Sequence, residues 1–100
     1  MDLGMTAKVR PCLVVSARIS DTDRALLTLV PHTTSTRTTT FEAAVKTHFL
    51  KPGAFDAQGI VTVPVSRAIR LLGSLRVEEM RSVEQALCRW LELPCAQSSE

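Results

Sequence analysis

One stretch of this chain repeats its apolar side chains at helical spacing, and it comes last. Met80, Val83, Leu87, Trp90 and Leu91 share a face with Ala86, while Glu78, Glu79, Arg81, Ser82, Gln85 and Arg89 fall elsewhere. That pattern predicts an amphipathic helix. Glu78 and Glu79 sit where the first turn favours negative charge, and Pro94 stops the helix. Everything before it is too short and too often interrupted for a second helix. The fold must therefore be several short strands closed by one terminal helix.

The strands are read from apolar pieces between turn formers. Met1–Val9 is short and polar-leaning, with Gly4 as a turn former. Cys12–Val15, bounded by Pro11, predicts a buried strand. The cluster SDTDR (Ser20–Arg24) is a turn, and Ala25–Val30 completes a hairpin. Phe41–Val45 predicts a third strand, and Thr47–Leu50 a fourth short piece. KPGAFDAQG predicts a loop through its Pro-Gly step. Gly59–Val65 is another strand, with Pro64 suited to an end or an edge. Ser66–Leu75 reads as a short strand or helical turn followed by a turn at Gly73. No segment repeats, and the residues from about 94 form a polar tail.

With 100 residues the chain suits one domain and buries about two-thirds of its unfolded surface. No apolar run reaches the ~20 residues that span a bilayer. The start lacks a basic stretch before an apolar core, so a cytoplasmic protein without a membrane is expected. The formal net charge of +2 does not announce nucleic-acid binding. Nine of the 12 cations are Arg, which suits phosphate and carboxylate but also follows from a GC-rich genome. Cys12, Cys88 and Cys95 are odd in number and match no metal template. Cys12 and Cys88 are expected to be buried and reduced, with no disulfide and no zinc.

Two stretches hold the candidate chemistry. PHTTSTRTTTF (Pro31–Phe41) contains six Thr and one Ser between Thr33 and Thr40. It reads either as a solvated strand–turn–strand or as a row of donors for phosphate and ribose oxygens. RPCLVVS (Arg10–Ser16) begins a strand with a fixed charge, which suits either a surface ion pair with Asp2 or a phosphate. His32 can titrate near neutrality, or it packs at the strand end; His48 has no assigned role.

Taken in order, RPCLVVS, LLTLVPHTTSTR, FLKPGAFDAQGIVTVPVSRAIRLLGSL and VEEMRSVEQALCRWLEL resemble the MazF/PemK toxins of bacterial toxin–antitoxin pairs. The resemblance runs from about Leu3 to Leu93. It implies a mainly β fold with a C-terminal helix, a small SH3-like barrel of the MazF/PemK/CcdB kind, assembled as a homodimer. It further implies metal-independent, sequence-specific cleavage of single-stranded RNA with no cofactor. A cognate antitoxin would occupy the RNA groove, and the pair would bind DNA. By match to the family motifs, Arg10 and Thr33 are catalytic, while Thr34, Ser35 and Arg67 face substrate, with His32 beside them. Family members begin with a strand of which Met1–Gly4 matches only the tail, so an unpaired sheet edge is expected. Two alternatives stand beside the enzyme. CcdB toxins share the barrel and poison DNA gyrase through the terminal helix, and a decayed toxin would act as an antitoxin sink.

Overall fold

The computed structural model describes residues 10–95. The Met1–Val9 segment, its Gly4 turn, the Asp2 alternative for Arg10 and the polar tail beyond 95 lie outside them. Five strands form one antiparallel sheet: β1 (Cys12–Val14), β2 (Leu26–Thr33), β3 (Glu42–Ala43), β4 (Ala54–Asp56) and β5 (Val61–Pro64). The 15-residue helix α1 (Val77–Leu91) follows.

β2 is the hub. β1 pairs with it on one side, while β5 and then β4 pair with it on the other. Leu29, for example, lies between Val14 and Val61. β3 adds to the far side of β4. The β1–β2 hairpin is the predicted one. Its turn is held by the Ser20 N–H donating to Asp23 Oδ2 at 2.8 Å and the Asp23 N–H donating to Ser20 O at 3.1 Å. Beyond β1, Ser16 Oγ accepts the Thr28 N–H at 3.0 Å, so a side chain takes over where the strand partner ends.

Side chains alternate across β2. Val30 and His32 are buried on one face, while Leu29, Pro31 and Thr33 lie on the other. α1 covers the first face with Val83, Ala86 and Leu87, which join Val30, Ala43, Val45, Phe55 and Ala57 in the core. The helix starts where the Glu79 carboxylate accepts the Arg76 backbone N–H at 2.7 Å; this bond holds the Glu79 carboxyl below its ordinary value. It ends where Glu92, in the left-handed region (φ 54°), lets its own N–H and that of Leu93 donate to Cys88 O.

Several expectations need correction. KPGAFDAQG is not a plain loop: Ala54–Asp56 is a strand held between β2 and β3. Thr47–Leu50 forms turns, because no neighbouring strand offers its backbone a ladder. Phe41–Val45 shortens to Glu42–Ala43. Trp90 and Leu91 are exposed rather than in the core, which α1 reaches with Val83, Ala86 and Leu87. Cys12 is exposed on the outer face of β1, although crowding pushes its thiol up in pKa. Cys88 and Cys95 are joined as a disulfide with Cα atoms 6.0 Å apart, against the expectation of free thiols.

Candidate functional site

The site lies at the end of β2, where Pro11, His32, Thr33 and Gly53 meet. The register pairs Cys12 with Pro31, and beyond it the His32 N–H donates to Pro11 O at 2.9 Å. Carried one residue further, the same register sets Arg10 across from Thr33. Paired positions alternate along an antiparallel ladder. Pro11–His32 is a hydrogen-bonded position, so Arg10–Thr33 falls on a non-hydrogen-bonded one, where facing side chains approach most closely. Both residues share the outer face with Cys12 and Pro31, away from α1. Arg10 is exposed and Thr33 half-buried.

Thr33 Oγ1 accepts the Ser35 N–H at 3.0 Å. In the same tight turn the Thr33 hydroxyl points its own proton at the Ser35 carbonyl, a long contact of 3.5 Å. Thr34 and Ser35 continue the strand end and are exposed. Arg37 and Thr38 N–H groups donate to the Glu42 carboxylate at 2.9 to 3.1 Å, which folds the Thr-rich loop back onto β3.

His32 does not share this open face. It is 4% exposed, edge-on to Phe55 with ring centroids 5.1 Å apart, and its Nε2 has no partner. Burial pushes its pKa below the ordinary 6.5, because the charged ring would lose hydration with nothing to replace it. The structure therefore places it beneath Thr33 as a neutral packing group. Arg67 is not brought to the site within one chain. It closes a 3-10 turn (Val65–Arg67) after β5, at the Leu26 end of β2. Seven residues of strand separate that end from Thr33, about 23 Å.

Sequence reasoning missed Gly53. A Cβ there would run into the Thr33 carbonyl oxygen and lie 2.9 Å from His32 Cε1. The lack of a side chain lets β4 close on the strand end that carries Thr33. The Pro-Gly step signalled a turn, and nothing in it signalled close approach. Among the described residues no group of three or more His, Cys, Asp or Glu gathers as metal ligands. No helix there is long and apolar enough to cross a membrane.

Comparison with known proteins gives a consistent result. The family model of PemK-like, MazF-like toxins of type II toxin–antitoxin systems matches residues 3–91. An endoribonuclease in complex with its cognate antitoxin, from a mycobacterial species, is 27% identical; the match covers 95% of this chain and 90% of that one, with a TM-score of 0.79. A second mycobacterial endoribonuclease is 26% identical over 95% of this chain and 86% of that one, with a TM-score of 0.76. The MazF of a Deinococcus radiodurans MazE–MazF structure shares the fold at 22% identity, over 84% of this chain and 86% of that one, with a TM-score of 0.71. A search of curated proteins gives no match.

Two predictions follow from the packing under Thr33. Gly53→Ala should destabilise the chain by about 2 kcal/mol or more, since the blocking atom is backbone and cannot rotate away; urea denaturation measures this, and an unchanged midpoint refutes it. His32 binds a proton more readily when unfolded than when folded. Its contribution to stability is therefore full above pH 6.5 and declines as pH falls from there through the lower folded value. Unfolding free energy should drop as pH falls below 6.5, and His32→Leu should flatten that limb.

Proposed function

The chain belongs to the PemK-like, MazF-like toxins of type II toxin–antitoxin systems, and from that premise we propose that it is an endoribonuclease cutting single-stranded RNA at the Arg10–Thr33 strand end. The observation that supports this reading is the β1–β2 register, which, continued one residue past the Pro11–His32 bond, brings Arg10 and Thr33 to facing positions at one strand end. The endoribonuclease activity of two mycobacterial proteins of the same fold, each above 25% identity, supports it.

The chemistry uses groups that the substrate supplies. The ribose 2′-oxygen attacks the adjacent phosphorus, its proton leaves, and the bond to the 5′-oxygen breaks. That oxygen takes a proton, giving a 5′-hydroxyl and a 2′,3′-cyclic phosphate. The protein has to hold the attack in line and stabilise charge on the non-bridging oxygens. The Arg10 fork can bind two of those oxygens, and the Thr33 hydroxyl can donate to one. Arg keeps its proton and so does not act as the base. His32 supports Thr33 from the core rather than touching RNA. Thr34 and Ser35 line the approach. Arg67, at the far end of β2, contacts a different part of the RNA.

A cognate antitoxin belongs to the same reading, because the neighbouring mycobacterial endoribonuclease is seen with its own. An acidic, apolar tail would place carboxylates on Arg10 in the geometry of phosphate. A homodimer is the proposed assembly. Ile69, Leu71, Leu72 and Val77 are exposed by 71%, 85%, 43% and 68%, which offers a second copy apolar surface to cover.

Arg10→Ala should lower cleavage of a long single-stranded RNA by roughly 10²–10³ with the fold retained; a rate within tenfold of the parent removes Arg10 from the site. Thr33→Val should also cut the rate, and Thr33→Ser should restore it, since only the hydroxyl is required. EDTA should leave the rate unchanged and the products should end in a cyclic phosphate. Metal-dependent products carrying a 5′-phosphate would indicate another mechanism.

A further inference from the structure

The disulfide at the end of α1 sits next to two side-chain links between that helix and the Thr-rich loop. Arg89 Nε donates to the Thr40 carbonyl at 2.8 Å. Trp90 meets Phe41 edge-on, with centroids 5.2 Å apart. Both residues lie on the last helical turn, directly after Cys88. That turn leaves Trp90 and Leu91 38% and 45% exposed. What holds it is local: the Glu92 and Leu93 N–H groups on Cys88 O, and the bond from Cys88 across to Cys95.

We propose that the Cys88–Cys95 disulfide is a reversible redox brace that holds the Thr-rich 34–41 loop against the end of α1. With the bond made, the last turn is pinned and presents Arg89 and Trp90 to Thr40 and Phe41. With it broken, that turn frays as helix ends do, and the loop loses one of the anchors at its end away from Thr33, the Ala57 N–H on Phe41 O remaining. The loop is poised to respond. Thr38 is held in the left-handed region (φ 57°), which costs a Thr free energy, with its N–H on the Glu42 carboxylate.

The bond is open to exchange. Both cysteines are only half-buried. A half-open cavity of about 310 Å³, lined by Gln85, Cys88, Arg89, Glu92 and Leu93, adjoins Cys88. Glutathione disulfide is the proposed oxidant. The Cys88 thiolate attacks one of its sulfurs, the S–S bond breaks and one glutathione thiolate leaves. The Cys95 thiolate then attacks the Cys88 sulfur of the mixed disulfide and expels the second glutathione. The two protons lost by the protein thiols end on the two glutathiones, which carry away the two electrons. Reduced glutathione reverses both steps. As a brace the device stands on these contacts alone; as a regulator of RNA cleavage it rests on the function proposed above.

The test equilibrates the full chain in glutathione buffers of graded ratio. Alkylation and peptide mass spectrometry read the Cys88–Cys95 bond separately from Cys12, and hydrogen exchange reads the 34–42 amides. Reduction should speed exchange of the Arg37, Thr38 and Glu42 amides by roughly threefold to tenfold, leaving β2 amides unchanged. Cys95→Ser should show the fast loop at every ratio. Arg89→Gln should show it with the disulfide still formed. The proposal is overturned if the bond fails to form in oxidising buffer, if the loop exchanges equally fast in both states, or if reduction speeds exchange throughout the chain. RNA cleavage is measured in parallel. If the loop responds and no RNA is cut in either state, the brace stands and the endoribonuclease reading fails.

Discussion

The register of β1 on β2 is the constraint from which the candidate site follows. A strand's side chains alternate between faces, so a slip of one residue would exchange every inward group for an outward one. Thr33 would turn into the core and His32 out to solvent. Several features pin the register. Val30 must face α1, because it is fully buried there against Val83 and Leu87. Pro31 has no N–H to donate, and it sits where β2 passes from β5 to β4, a joint at which no partner asks for one. Gly59 allows the chain to cross close over it: a Cβ there would lie 2.8 Å from Pro31 Cγ. Pro11 tolerates its position because its carbonyl alone is used, by the His32 N–H.

Legibility in the sequence follows from how local each cause is. The β1–β2 hairpin and α1 could be read because alternation, turn residues and helical period are properties of contiguous residues. β4 could not, because Pro52 and Gly53 punctuate the sequence as a turn while the strand forms only where β2 and β3 both offer it hydrogen bonds. The Thr47–Leu50 piece failed in the opposite way: its apolar residues fit a strand, and none of the described strands pairs with it. The disulfide depends on the left-handed turn at Glu92 that swings Cys95 back to Cys88, and a spacing of seven residues says nothing of that turn. Arg10 and Thr33 were named only by resemblance. Their types and spacing do not show that they could face each other; that placement comes from the β1–β2 register continued past the Pro11–His32 bond.

The two faces of β2 also divide the electrostatic work. Thr33 and the Arg10 opposite it look outward, so the guanidinium stays hydrated until an anion replaces its water. One residue back, His32 looks inward and must stay neutral, since a charged ring with an unpartnered nitrogen has no counter-ion within the core. A chain with a net charge of only +2 exerts little long-range pull on RNA. On the proposed reading, its hold on a phosphate has to come from a few cations correctly placed rather than from a basic field. That places the burden on rigidity. A fork that must meet two oxygens gains from a strand end fixed by a ladder, a tight Thr33–Ser35 turn and a glycine-lined backing, because each removes freedom the substrate would otherwise have to order. The Thr-rich loop that continues from Thr33 has no such ladder of its own. It is held at Glu42, by the Ala57 N–H on Phe41 O and at the helix end, so on the proposed reading the rim of the site depends on contacts made far along the chain.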